Sequence, residues 1–220
     1  MRGTFLLLFL TGCASAVPWD SIRTAAAIRA WHLRTEPEPL PHVKPCRIGH
    51  DSNLVAAICD YQLEWVGFFG VYHLTDGRVD WQAQTDHEPS EQAIHSLRVL
   101  ELPGHRHPLL EVYGITHMGN GALYLYELRG ARLILLLETR ALDFNANPVQ
   151  FKDGTLEPDY RDLNGDGVAD LTLTGVLEDR GEKEDTFVSS RPCRRVFLWH
   201  REQGNFIEDA ALRVGFDSSE

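Results

Sequence analysis

Apolar residues in this chain come in short blocks separated by turn residues, and the blocks alternate as strands do. Trp65 to Tyr72 is aromatic and β-branched, and Thr75-Asp-Gly-Arg78 turns the chain into Val79-Asp-Trp81. Leu109 to Thr116 leads through Met118-Gly-Asn-Gly121 into Ala122-Leu-Tyr-Leu-Tyr-Glu-Leu128. A turn at Arg129-Gly130 then precedes Leu133-Ile-Leu-Leu-Leu-Glu138. Short apolar blocks broken by Gly, Asn and Asp at roughly ten-residue intervals predict an antiparallel β-meander. One segment reads differently. Residues 20–34 carry Asp20 or Ser21 as a cap, then three consecutive alanines, and predict a helix with Ile22, Ile28 and Trp31 on one face. Four prolines between Thr35 and Pro45 predict an extended linker. The remaining ~175 residues suffice for one domain with its own core.

Two stretches of the β region match at a constant offset. Glu101-Leu-Pro-Gly104 followed by Leu110-Glu-Val-Tyr-Gly114 aligns with Asp162-Leu-Asn-Gly165 followed by Leu171-Thr-Leu-Thr-Gly175. Leu123-Tyr-Leu-Tyr126 before Gly130 resembles Val196-Phe-Leu-Trp199 before Gly204, and Val71-Tyr-His-Leu74 before Gly77 is a weaker third copy. Each unit is a turn, a strand and a hairpin that cannot bury both faces alone, so stacked units are expected to share a core. The expected fold is all-β: irregular, propeller-like antiparallel repeats after one short helix.

The second copy of the repeat carries the clearest chemistry. Residues 162–170 read Asp-Leu-Asn-Gly-Asp-Gly-Val-Ala-Asp, which puts side-chain oxygens at loop positions 1, 3, 5 and 9: Asp162, Asn164, Asp166 and Asp170. Gly165 and Gly167 allow the left-handed turns that wrap a loop around a point. Three carboxylates held this close repel one another without a cation, and Ca²⁺ accepts six to eight oxygens in irregular geometry. The backbone carbonyl of Val168, at position 7, is the expected fifth protein ligand. An EF-hand is excluded, because position 12 is Leu173 rather than a bidentate glutamate and a strand-like run follows the loop. In the first copy Pro103, His105 and Leu109 replace three of the oxygen ligands, so no calcium is expected there.

The front of the chain bears on compartment. Met1-Arg2-Gly3, an apolar run from Phe5 to Leu10 and then Thr11-Gly12-Cys13 form a secretory signal too short to span a bilayer. Leu10-Thr11-Gly12-Cys13 resembles a bacterial lipobox, in which Cys13 becomes the lipidated first residue. The alternative is an ordinary signal cut after Ala14-Ser15-Ala16. With Ala14 after the cysteine, the lipobox resemblance implies the outer membrane, facing the periplasm. The expected organisation is a signal at 1–12, an anchor, helix and linker at 13–45, and a β-repeat domain at 46–220. An oxidising compartment permits a disulfide, and Cys46 with Cys59 is the expected pair by proximity in sequence; Cys193 pairing with either is the alternative. The net charge of −11 argues against nucleic acid and anionic lipid as partners.

Together, Asp162 to Leu171, Val196-Phe-Leu-Trp199 and Gly204-Asn-Phe206 resemble the calcium-loop blades of integrin-like FG-GAP and VCBS repeats. That resemblance implies a β-propeller with the metal in a loop between two strands of a blade, held by Asp162, Asn164, Asp166 and Asp170. In architecture and compartment the chain is also similar to bacterial envelope proteins of the invertebrate-type lysozyme-inhibitor group, some of which are immunity proteins against peptidoglycan hydrolases. An enzyme is not expected, since no Gly-x-Ser-x-Gly, His-Glu-x-x-His or phosphate-binding glycine loop occurs. His105 and His107 could hold a transition metal but read as a surface turn. Glu178, Asp179, Glu182, Glu184 and Asp185 read as a solvated hairpin tip, and Arg191, Arg194 and Arg195 form the one local basic cluster. The expected role is a calcium-stabilised envelope lipoprotein that binds a protein or glycan, or alternatively inhibits a lysozyme-like hydrolase.

Overall fold

The structure is a computed structural model that describes residues 19–34, 42–49, 51–60, 67–85, 87, 89, 93–115, 120–143, 149–151, 155–180 and 187–216. The signal with Cys13, the segment 35–41 and the tip 181–186 lie outside the described residues. Helix α1 (Ser21–His32) precedes a four-stranded antiparallel sheet of β1 (His42–Ile48), β2 (Asp51–Asp60), β3 (Gly67–Thr75) and β4 (Arg78–Gln82). A second sheet holds β5 (Gln84–Thr85), β6 (Ala93–Leu100), β7 (Leu109–Ile115), β8 (Asn120–Arg129) and β9 (Arg132–Asp143) in the order β5-β9-β8-β7-β6. The third comprises β10 (Val149–Phe151), β11 (Glu157–Arg161), β12 (Asp170–Arg180), β13 (Phe187–His200) and β14 (Asn205–Glu208). In it β12, β13 and β14 are neighbours, and β10 and β11 both pair along the free side of β12. Pairing is antiparallel except where β5 lies parallel to β9. The chain is therefore mostly β, as expected, in several antiparallel sheets, one of them curled, though its main strands are longer than the short blocks expected.

Three apolar clusters separate four layers. Ala25 and Ile28 of α1 pack with Val55, Ala57, Cys59, Tyr72 and Val79 of the first sheet. Ala56, Phe69 and Val71 on that sheet's other face meet Leu110, Val112, Tyr124 and Tyr126 of the second. Leu109, Tyr113, Leu123 and Leu125 from the second sheet's far face then meet Leu171, Leu173, Leu177, Phe197 and Phe206 of the third. Successive side chains on a strand point to opposite faces, so a middle sheet must be apolar on both. Strand β7 shows this directly, since all seven of its residues are buried. The same double burial accounts for the unbroken run Leu133 to Leu137.

Local turn chemistry follows the sequence. Asp76 and Gly77 both take positive φ in the β3–β4 hairpin, as a tight two-residue turn with the right twist requires. Asp20 caps α1, accepting from the backbone N–H of Ile22 and Arg23 at 3.0 Å each. The buried helix face is Thr24, Ala25, Ile28 and His32 rather than the expected Ile22, Ile28 and Trp31, and Ile22 is 79% exposed. Anchoring by His32, whose Nε2 lies 2.8 Å from the Tyr72 hydroxyl, sets that rotation.

Two further expectations are corrected by the register. Cys46 and Cys59 do not form a disulfide: Cys59 lies opposite Val43 and Cys46 opposite Ala56. Three residues separate the two along the ladder, roughly 10 Å, which exceeds the Cα reach of a disulfide and places them on opposite faces. Cys193 is no alternative partner, because it is buried beside Gly175 in the third sheet, where burial pushes its thiol up to about 11. Strand β1 begins at His42, and α1 packs on β1 and β4. Helix and first sheet form one unit.

The basic cluster disperses to separate partners, two of them carboxylates and one a backbone carbonyl. Arg191 binds Asp179 at 2.7 and 2.8 Å, Arg194 reaches the Leu212 carbonyl at 3.3 Å, and Arg195 grips Glu208 at 3.0 and 2.7 Å. Arg213 adds two bonds of 2.9 Å to the same glutamate. Hydrogen bonds from Arg195 and then Arg213 outweigh burial and hold the Glu208 carboxyl down to about 2, below its ordinary 4.5. A depressed carboxyl stabilises the fold above its unfolded value, and that contribution disappears as pH falls from 4.5 towards 2. Glu208→Gln is therefore expected to cost about 1–3 kcal/mol at pH 7, with the difference from the parent chain shrinking between those limits. Urea midpoints measured across that pH range check it.

Candidate metal centre

The loop 162–169 joins β11 to β12, and its own side chains hold its shape. Asp162 Oδ1 accepts from the backbone N–H of Gly165 at 2.7 Å and of Asp166 at 3.2 Å, while Oδ2 accepts from Gly167 at 2.8 Å. These bonds, that from Gly167 first, hold the Asp162 carboxyl below its usual range. Asn164 Oδ1 takes the Asp166 N–H at 2.9 Å, and Asp166 Oδ1 takes the Val168 N–H at 2.8 Å. Gly165 and Gly167 sit at φ +78° and +83°, in the left-handed region that the sequence predicts for them. Asp162, Asn164 and Asp166 are thus gathered into one turn, with their oxygens fixed by backbone donors.

Asp170 is placed differently. It is fully buried, with Oδ2 accepting from the Leu163 N–H at 2.9 Å and Oδ1 from the Trp199 N–H at 2.7 Å. It brackets the start of the loop, the start of β12 and the adjoining β13. Val168 is buried as well. Among the described residues, no three His, Cys, Asp or Glu side chains are grouped so as to hold a metal ion by themselves. In chemical kind the residues do fit Ca²⁺: the donors are hard oxygens, and each carboxylate oxygen bonded to one N–H keeps a second lone pair.

A second loop, residues 101–108, lies against this one, so the two matched copies of the sequence repeat meet at their turns. The Ala169 N–H donates to the Pro103 carbonyl at 2.9 Å, and His105 Nε2 is 2.9 Å from the Ala169 carbonyl. The His105 ring stacks on Phe206 at 5.6 Å and meets Trp199 edge-on at 4.7 Å. His105 is therefore a packing residue, whereas His107 is exposed. The sequence reading missed Arg201, which donates to the Asp166 carbonyl at 2.5 Å and lies 3.6 Å from its carboxylate. It also missed the contact between the loops, which the repeat alignment could have suggested by setting Gly104 opposite the calcium-type turn.

A polar cavity lies elsewhere, between the second and third sheets, lined by His95, Arg98, Glu111, Tyr113 and Glu157. Glu111 is buried, and Arg98 binds it at 2.5 and 2.8 Å while the Tyr160 hydroxyl donates at 2.6 Å. Burial raises the phenols of Tyr113 and Tyr160 well above their ordinary value. Both Glu111 oxygens are engaged, so this cluster reads as an inter-sheet ion-pair network. Asp179, from the acidic run, is held by Ser189 and Arg191; Glu182, Glu184 and Asp185 lie outside the described residues. Among the described residues, no helix is long and apolar enough to cross a membrane.

No family model matches the chain, and neither a curated protein nor a solved structure matches it.

Proposed function

We propose that this protein is a calcium-stabilised envelope module, lipid-anchored through Cys13, that uses a propeller-like stack of β-sheets to bind a protein or glycan. The observation that carries the reading is the turn at 162–167, whose three oxygen-bearing side chains are all preset by backbone N–H groups. A divalent ion at that turn, with Asp170 and the Val168 carbonyl completing its ligands, would relieve the repulsion between carboxylates. It would also brace the seam where the 101–108 loop meets the third sheet. The two loops match in sequence and touch in space, which favours repeats of one structural unit over unrelated hairpins. The fit of sequence signal, acidic surface and calcium-type loop supports a cell envelope, where calcium is available.

The test is thermal melting of the full chain in a neutral detergent. Calcium at 100 times its Kd stabilises by about 2.7 kcal/mol, so EGTA should lower the Tm by roughly 5–10 °C. Asp166→Ala should abolish that response while costing little in EGTA, because Asp166 lies in the exposed part of the loop. Identical melts with calcium and with chelator would reject the metal.

A further inference from the structure

We infer that the cleft beside the calcium-type loop is a binding site for an anionic saccharide. The cleft has a volume of about 810 Å³ and opens between the 101–108 loop, the β8–β9 hairpin, the β13–β14 hairpin and the 162–169 loop. That volume suits a short oligosaccharide. Arg106, Arg129 and Arg201 line it together with His107, against Glu127 as the one acidic lining residue. Glu127 offsets Arg129 and Asp166 offsets Arg201, so Arg106 is the guanidinium of this lining left without a carboxylate, in a chain of net charge −11. The field of the whole molecule repels anions, so an anion bound here must be held by this cleft itself.

The three arginines are not equally committed. Arg129 is paired with the buried Glu127, and Arg201 leans on Asp166. Arg106 has no ion-pair or hydrogen-bond partner among the described residues, although it projects from a loop that is otherwise bonded closely to its neighbour. A guanidinium presents two parallel N–H donors that match a carboxylate or a phosphate, and Arg106 is available to do so. Trp199 supplies the apolar element. It is half-buried, its ring is fixed edge-on by His105 and Phe206, and it lines the same cleft. A rigid indole beside a guanidinium suits a sugar ring that bears a charged group, since the ring's apolar face and its anion are recognised side by side. Two glycines in the lining, Gly167 and Gly204, leave the backbone open to a ligand: nothing lies within 4 Å of an added Cβ at Gly167, and only the Arg129 guanidinium, at 3.8 Å, at Gly204.

This deepens the binding-module reading by naming the ligand class, and it does not depend on the metal. Calorimetric titration of the full chain in neutral detergent tests it, with calcium and again with EGTA. The probes are tetragalacturonate, the same oligosaccharide methyl-esterified at its carboxyls, a phosphorylated tetrasaccharide, and inorganic phosphate alone. Saturable binding of either acidic saccharide, absent for the ester and weakened about tenfold or more by Arg106→Ala, supports the site. Which acidic probe binds identifies the anionic group. Arg78→Ala, on the distant β3–β4 hairpin, should leave that affinity unchanged. No saturation below about 5 mM overturns the proposal, as does binding indifferent to Arg106→Ala, or inorganic phosphate binding as tightly as the saccharides. Any of these beside a chelator-sensitive melt would leave the metal reading standing.

Discussion

Gly104→Ala is expected to destabilise the fold by roughly 4 kcal/mol, among the largest effects of any single methyl group in this chain. A Cβ at residue 104 would stand 2.2 Å from the Gly167 carbonyl oxygen, 2.5 Å from Val168 Cα and 2.9 Å from Val168 Cγ2. Two of the three obstacles are backbone atoms, so no rotamer change relieves the clash. The loops must separate, and with them the Ala169–Pro103 and His105–Ala169 hydrogen bonds. Gly104 also has φ +77°, which adds a conformational penalty for any L side chain. Gly130 provides the control, because its φ is +61° and nothing lies within 4 Å of an added Cβ. Gly130→Ala should therefore cost only the backbone term, about 1 kcal/mol. Urea denaturation of the two variants separates the effects. Equal costs would mean that the two loops do not meet as described.

That contact also marks how far the sequence could be read. Turn residues and strand periodicity locate hairpins well, because both are local: Asp76-Gly77 and Gly130 fall where their chemistry predicts, and Asp20 caps α1. The loop at 162–170 was legible for the same reason, since its shape comes from side chains bonding to backbone a few residues away. What periodicity could not supply was the order of layers. In β7 and β9 apolar residues occupy both faces, and alternation loses its meaning when a sheet is covered twice. Cys46 and Cys59 looked like partners because separation along the chain is visible in a sequence and register is not. Likewise Arg191, Arg194 and Arg195 form a cluster only in one dimension; strand geometry sends Arg191 and Arg195 to separate acids and Arg194 to a backbone carbonyl. Gly104 gave the least warning. A loop glycine ordinarily means a permissive turn, and only the approach of a segment more than sixty residues away shows that it must lack a side chain.

The same distinction between local and distant bonding leads to the other large effect, Asp170→Ala, expected to cost roughly 3–5 kcal/mol whether or not calcium is present. By sequence Asp170 is simply the fourth acidic ligand of a metal loop. In the fold its carboxylate is fully buried and holds two backbone donors, Leu163 N–H at 2.9 Å and Trp199 N–H at 2.7 Å. Alanine would leave both donors without their acceptor beside the junction of the loop with β13. Asp170→Asn should lie in between, at about 1–3 kcal/mol, since the amide retains one acceptor but turns an NH₂ group towards a second N–H. Asp166→Ala is the informative contrast: its cost should appear in calcium and largely vanish in EGTA. Chemical denaturation of Asp170→Ala, Asp170→Asn and Asp166→Ala under both conditions therefore separates the two roles. If the Asp170→Ala deficit also vanishes in EGTA, Asp170 serves the metal alone and the bracket between loop and β13 contributes nothing. If the deficit persists while Asp166→Ala is calcium-dependent, the loop is a rigid bracket closed at one end by protein and at the other by an ion.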